Sequence, residues 1–158
     1  MLLIKNKISK INRNLPSKNN SQIIEKFYKS LPFTLTKNQI EVVNEIKKDI
    51  YDEKTMVRML QGDVGSGKTI VALISMLHAI SDGSQSVLLV PTEILALQHY
   101  NTVKNLLTPI NIDVVLLLGE SRSMHSKKER MEIINNIAEG NVKVCLLYTS
   151  DAADDLGR

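Results

Sequence analysis

The chain has little or none of several features that mark large classes of protein. It has one cysteine, Cys145, in 158 residues, so no internal disulfide framework can form and a reducing compartment suits it. It has no tryptophan, and aromatic residues make up 4% of the chain, which argues against a platform for stacking bases. No apolar run reaches the ~18 residues that a spanning helix needs, so we expect no contact with a membrane.

The charge of the chain is mildly basic. The formal net charge of +3 permits contact with nucleic acid without arguing strongly for it. Residues 1–20 carry cations and no acid, but they lack a continuous apolar core and a small-residue cleavage site. A secretory signal is therefore not indicated, and the Asn- and Lys-rich stretch fits an amphipathic transit peptide poorly. We expect a cytoplasmic protein.

A complete phosphate-binding motif is the most informative pattern that is present. Residues 62–69 match G-x-x-x-x-G-K-[ST], after an apolar run at 57–60 and before a helical apolar run at 70–80. The motif requires this order of strand, loop and helix. The residues that it assigns to nucleotide binding are Gly62, Asp63, Val64, Gly65, Ser66, Gly67, Lys68 and Thr69. A glycine-rich turn that only caps a helix is the alternative, but it does not explain Lys and Thr at both required offsets.

Each part of the motif has a chemical role. Glycines allow successive backbone N–H groups to point at phosphate oxygens, and the helix that follows adds the positive end of its dipole. We expect the ammonium of Lys68 to reach the β- and γ-phosphates. We expect the hydroxyl of Thr69 to bind the Mg²⁺ ion that bridges these phosphates. The pattern therefore predicts a site for a nucleoside triphosphate and Mg²⁺, with Lys68 and Thr69 as catalytic residues.

The hydrophobic pattern predicts strands and helices in alternation. Continuous apolar runs at 56–61, 87–90, 112–118 and 142–147 are typical of buried strands. Helices are predicted after Ser21, after Thr36 and after Thr92, and over 70–80 and 127–139, where Met131, Ile134 and Ile137 should face inward. Buried strands that alternate with helices indicate a doubly wound α/β fold with a parallel sheet, here an incomplete one.

Three segments together resemble one branch of the superfamily 2 DNA helicases, the RecG family. They are the LPFTLTKNQ segment at 31–39, the GDVGSGKT loop at 62–69 and the PTEILALQH segment at 91–99. The resemblance covers roughly residues 31–144 and implies a partial RecA-like motor domain that binds ATP and Mg²⁺. It also implies a monomer that acts on branched or forked DNA, and a basic leader at 1–30 that could end an upstream wedge domain. A coupling factor between transcription and repair is the alternative family.

The resemblance also implies roles for individual residues. Gln39 would read the adenine edge through its amide, and Phe33 would pack against the base. Thr92 would contact the DNA backbone, although the same side chain is a good helix cap. Weaker candidates for DNA contact are Gln98, His99 and Arg122, and His99 could equally be a packing residue.

The resemblance ends near residue 144. The family continues into a DExH box, whereas residues 145–158 read CLLYTSDAADDLGR, which resembles translated sequencing-adapter sequence more than a divergent tail. We therefore expect residues 145–158 not to be native, and Asp151, Asp154 and Asp155 not to replace the DExH box. Without that box and a second motor domain, the fragment should bind ATP without hydrolysing it or unwinding DNA. A stand-alone nucleotide-binding module and a small kinase are the alternatives from other classes.

Overall fold

The computed structural model describes residues 21–52, 56–118 and 126–148. These residues fall into two compact units. The loop unit comprises residues 21–25 and 32–83, and the sheet unit comprises residues 26–31 together with the described residues from 84 onward. The phosphate-binding motif lies in the loop unit, and the strands lie in the sheet unit.

The described residues form five α-helices, one short 3-10 helix and three strands. The helices are α1 (Ser21–Ser30), α2 (Lys37–Ile50), α3 (Lys68–Ile80), α4 (Glu93–Leu107) and α5 (Lys127–Ala138), with the 3-10 helix at Thr108–Ile110. The strands are β1 (Ser86–Val90), β2 (Val114–Leu117) and β3 (Val144–Tyr148). Within these ranges, no helix combines the length and the apolar character needed to cross a membrane.

Local sequence signals determine where helix α2 begins and where helix α3 ends in the loop unit. Before α2, the Thr36 hydroxyl accepts from the Gln39 backbone N–H, and the Gln39 side chain accepts from the Thr36 N–H, which forms a capping box. Helix α3 is followed by Gly83 with φ +86°, a conformation that glycine adopts without strain. Helix α3 buries Ile70, Val71, Leu73, Ile74, Leu77, His78 and Ile80, and Met76 of its apolar run is half-buried.

The sheet is parallel and has the strand order β1-β3-β2. Val87 of β1 and Val115 of β2 both lie opposite Cys145, so β3 is the central strand. Helix α4 follows β1 and packs on the sheet, where it buries Ala96 and Val103. The predicted α/β fold with a parallel sheet is confirmed.

The central strand includes the position at which we predicted that the native sequence ends. Val144 and Leu146 have no exposed surface, and Cys145 is 5% exposed. Burial also raises the pKa of the Cys145 thiol to about 11, which keeps it protonated and unreactive at neutral pH. Cys145 and Leu146 therefore belong to the core of the sheet unit, whatever their origin, whereas Leu147 and Tyr148 are half-buried.

The buried strand predicted at 56–61 is wrong. These residues form no strand, and Val57 and Met59 are 82% and 83% exposed. The intervening residue, Arg58, forms ion pairs with two carboxylates of α2. Since side chains alternate along an extended chain, this contact turns the residues on either side of Arg58 toward solvent.

The inward face predicted for α5 is also wrong in part. Met131 is 59% exposed and Ile134 is 41% exposed, whereas Ile137 is half-buried. The guanidinium of Arg130 donates to the carbonyl of Leu118. This contact brings the neighbouring stripe of the helix against the unit and leaves Met131 and Ile134 outside.

Candidate nucleotide-binding site

The phosphate loop has the backbone conformation that the motif requires. Gly65 has φ +82°, and Gly67, the residue before α3, has φ +80°. The Ser66 N–H donates to the Asp63 carbonyl at 3.1 Å, which closes a tight turn. The loop therefore turns directly into the N-terminus of α3, whose free N–H groups favour an anion.

Two glycines of the loop also lie close to side chains of neighbouring residues. A Cβ on Gly62 would lie 2.7 Å from the Ser66 hydroxyl oxygen. A Cβ on Gly67 would collide with the side-chain amide nitrogen of Gln39 unless that side chain moved. The positive φ of Gly67 also disfavours any residue with a side chain. The close approach of backbone and side chains is what a cradle for phosphate needs, so the loop fits the group that the motif predicts.

The ammonium of Lys68 lies over the loop. Its Nζ donates to the carbonyls of Gly62 and Asp63, both at 2.7 Å, and lies 3.5 Å from the Ser66 hydroxyl. The ammonium is thus bound to neutral carbonyl groups. An anion that enters the loop can replace these carbonyls as its partner. Thr69 is half-buried in the first turn of α3, and Val64 at the tip of the loop is fully exposed.

Gln39 connects the start of α2 to the phosphate loop. Its Nε2 donates to the Ser66 carbonyl at 3.0 Å, and its Oε1 accepts from the Thr36 N–H at 2.9 Å. Both ends of the amide are thus engaged within the protein. Recognition of adenine by Gln39 remains a prediction, and it requires the amide to exchange these partners for the base.

A cavity of about 400 Å³ lies between α2 and the loop. It is lined by Thr36, Asn38, Gln39, Val42, Leu60, Gln61, Gly62, Asp63, Ser66, Lys68 and Val71. Three apolar side chains and several amide and hydroxyl groups together suit an organic ligand attached to phosphate. Phe33, predicted to pack on the base, is 48% exposed and does not line this cavity.

An ion-pair cluster next to the loop was missed by the sequence interpretation. Arg58 donates from Nη1 to Glu45 Oε2 at 2.8 Å and from Nε to Asp49 Oδ2. The hydrogen bond from Arg58 lowers the pKa of the Asp49 carboxyl. An arginine inside an apolar run, with acids spaced by four residues on the preceding helix, was the signal in the sequence.

Two titratable side chains near the end of α3 are shielded from solvent, the buried His78 and the carboxylate of the half-buried Asp82. Burial lowers the pKa of His78 to about 4, with a further contribution from the charge of Lys47. Burial raises the pKa of Asp82. Within the described residues, His78 Nδ1 and both carboxylate oxygens of Asp82 have no hydrogen-bond partner. His78 is therefore neutral at pH 7 and packs edge-on against Tyr51.

The residues predicted to contact DNA lie in the sheet unit. The Thr92 hydroxyl accepts from the Leu95 N–H at 3.3 Å, so its role as a helix cap is confirmed. Gln98 is exposed and His99 is half-buried, both on α4, and Arg122 lies outside the described residues. Thr92 and His99 are seven residues apart and share one face of the helix, whereas Gln98 lies about 100° away.

A known protein family matches most of this chain. The sequence matches the DEAD/DEAH box helicase model over residues 36–155, which begins at the Thr36 cap and includes the phosphate loop. The chain belongs to the DEAD/DEAH box helicase family. A RecA-like P-loop fold is characteristic of these helicases, and the parallel sheet and loop described above agree with it.

Individual relatives agree with the resemblance to RecG. The chain is 46% identical over 118 residues to the ATP-dependent DNA helicase RecG of Borreliella burgdorferi, covering 75% of the chain and 17% of the relative. It is 40% identical over 132 residues to RecG of Thermotoga maritima, covering 84% and 16%. It is 40% identical over 129 residues to RecG of Escherichia coli K12, covering 82% and 18%.

A solved structure is similar as well. The helicase fragment superimposes on a structure of RecG bound to a three-way DNA junction with a TM-score of 0.76 and 36% identity, over 92% of this chain and 20% of that one. The chain thus spans less than a fifth of the length of the RecG relatives above. Recognition of the chain as a RecG-like helicase fragment is confirmed by these similarities.

Proposed function

We propose that this chain is the ATP- and Mg²⁺-binding part of a DNA helicase that remodels branched DNA, such as replication forks and Holliday junctions, in recombination and repair. The observation that carries the proposal is the position of Lys68 over a loop in which side chains of Ser66 and Gln39 lie close to the backbone of Gly62 and Gly67. The RecG relatives support the choice of DNA as the partner. We expect the protein to act as a monomer in the cytoplasm.

The residues of the loop would hold the triphosphate as follows. Backbone N–H groups of residues 63–68 would donate to phosphate oxygens. Lys68 would exchange its carbonyl partners for the β- and γ-phosphates, and Thr69 would bind Mg²⁺, which neutralises the charge that develops on these phosphates. The cavity beside the loop would receive the nucleoside, with Gln39 turning toward the base.

We also propose that the 158-residue chain binds ATP without turning it over. Phosphoryl transfer in this class needs an Asp that organises Mg²⁺, a Glu that activates water, and an Arg that stabilises charge. The sequence contains no Asp-Glu-x-His, and DNA unwinding needs a second motor domain as well. The residues proposed to contact DNA are Thr92, Gln98, His99 and Arg122.

The division of the chain follows from the same proposal. Residues 1–30 would be a leader or the end of an upstream wedge domain, residues 31–144 part of the motor domain, and residues 145–158 a non-native tail. Sequencing of the genomic locus beyond the codon for Val144 tests this division. A frame that continues into a DExH box supports it, and a stop directly after Arg158 contradicts it.

Binding of ATP to the purified chain is the direct test of the proposed site. We expect binding of a fluorescent ATP analogue in the presence of Mg²⁺, competition by ATP, and loss of at least about tenfold in affinity for Lys68→Ala, because the variant removes the charge at the phosphates. Lys48→Ala, which removes an exposed cation from α2, is the matched control. Equal affinity of the Lys68→Ala variant and the natural chain would contradict the proposal.

A further inference from the structure

We propose that Arg58 is a positioning residue that holds the phosphate loop in its binding conformation through Glu45 and Asp49. The inference rests on the proposed binding of ATP at the loop. Arg58 touches neither the loop nor the cavity, so its effect would be transmitted along the chain.

The geometry of the ion pairs suits an anchor between two segments. Glu45 and Asp49 are four residues apart and therefore lie on one face of α2. One guanidinium contacts both, with Nη1 on Glu45 at 2.8 Å and Nε on Asp49. A planar fork that contacts two carboxylates fixes the orientation of the arginine as well as its distance from α2. Lysine, which has a single charged nitrogen, would not reproduce this.

The position of Arg58 in the chain links this anchor to the loop. Arg58 precedes Gly62 by four residues, and Leu60 between them lines the cavity. Gly62 supplies one of the carbonyls that hold Lys68. Helix α2 therefore contacts the segment before the motif through Arg58, and the motif itself through the bond from Gln39 to Ser66.

Among the described residues, few other contacts fix residues 56–61, which lead from α2 into the loop. Met56 and Leu60 are half-buried, whereas Val57 and Met59 are almost fully exposed. The segment pairs with no strand in the part of the chain that the structure describes. With neither a backbone ladder nor a buried apolar face, the orientation of this segment depends on the contacts of Arg58.

The expected effect is on affinity rather than on folding. The ion-pairing side chains are partly exposed, with exposed fractions of 38% for Arg58, 58% for Glu45 and 33% for Asp49. Exposed pairs add little to stability, so Arg58→Ala should leave the melting temperature nearly unchanged. The apparent Kd rises in inverse proportion to the fraction of time that the loop spends in its binding conformation, and we expect about a fivefold rise in the Kd for ATP.

The experiment measures the Kd for ATP with Mg²⁺ and the melting temperature for the purified full chain and its variants. Arg58→Ala and Arg58→Lys should both weaken binding, and Lys48→Ala should not. The decisive comparison repeats Arg58→Ala in a background of Glu45→Gln with Asp49→Asn. If Arg58 acts through the two acids, the background alone should weaken binding, and Arg58→Ala should then add less than about a twofold further change.

The outcomes separate this inference from the proposed function. If Lys68→Ala loses binding while Arg58→Ala stays within about twofold of the natural chain, the positioning role is wrong and the nucleotide site stands. A large fall in melting temperature for Arg58→Ala would also overturn the inference, because it would make Arg58 a residue of general stability. If Lys68→Ala binds as well as the natural chain, the proposed function itself fails.

Discussion

The phosphate loop in one unit and the sheet in the other are stabilised by different kinds of interaction. In the loop unit, the conformation of the motif depends on single side chains that contact backbone or charged groups, as Gln39, Arg58 and Lys68 do. In the sheet unit, a central strand pairs on both sides and is buried. Polar contacts can be exchanged for a ligand, whereas a buried ladder cannot, so the proposed nucleotide site lies where the contacts are exchangeable.

The largest expected effect is a loss of stability caused by a substitution in the core of the sheet unit. Leu146→Ala removes a side chain with no exposed surface from the central strand, and we expect a loss of about 2–5 kcal/mol in the free energy of unfolding because a cavity is left. Urea denaturation followed by circular dichroism measures this loss. Leu89→Ala, in edge strand β1 where the side chain is 61% exposed, is the control and should cost much less. Equal losses would mean that β3 is not the centre of this unit.

A smaller effect is expected from pH, and it should arise in the loop unit. The pKa of folded His78 is about 4 and its ordinary value is 6.5, so the unfolded chain takes up this proton first. The contribution of His78 to stability is therefore complete above pH 6.5 and is lost as the pH falls to about 4, by about 1–3 kcal/mol.

The pH dependence of unfolding for His78→Leu measures this contribution. The variant should lose much of the fall in stability between pH 6.5 and 4 that the natural chain has. The raised pKa of Asp82 acts in the opposite direction, since its carboxyl binds a proton more tightly in the folded state and loses stability as the pH rises. Asp82→Asn should therefore steepen the dependence, and an unchanged slope for His78→Leu would show that His78 is not buried in this way.

The smallest expected effect is a difference in ATP affinity between alanine substitutions at two glycines that have similar backbone conformations. Gly67 and Gly83 have φ values of +80° and +86°, so alanine at either position costs about 1 kcal/mol from strain. Alanine at Gly67 would also meet the Gln39 amide, whereas alanine at Gly83 would meet nothing within 4 Å. We expect Gly67→Ala to weaken the binding of ATP and Gly83→Ala to leave it unchanged. If the two variants bind ATP equally well, the contact between Gly67 and the Gln39 side chain does not matter for binding.

Features that depend on neighbouring residues could be predicted well from the sequence. The caps at Thr36 and Thr92 were predicted because capping involves residues within one turn of the helix. The strands at 87–90 and 142–147 differ from β1 and β3 by one or two residues, which is the usual uncertainty of such boundaries. The conformation of the phosphate loop followed from a motif whose glycines adopt the positive φ values that other residues rarely take.

Features that depend on distant partners could not be predicted in the same way. The segment at 56–61 has the composition of a buried strand, but a strand also needs neighbours, and its central arginine contacts α2 instead. The exposed side of α5 is determined by the contact of Arg130 with Leu118, which no periodicity reveals. The boundary at residue 145 and the contacts with adenine and DNA stay predictions.

The central position of β3 has a consequence for the order of events during synthesis. Strands β1 and β2 leave the ribosome first but have no hydrogen bonds to each other, because each pairs only with β3 in the described sheet. Their pairing must wait for Val144 and the residues after it, and Val144 is synthesised 27 residues after Leu117, the end of β2. Until then the apolar edges of both strands are open, so a chaperone that binds nascent chains has its best opportunity in this interval.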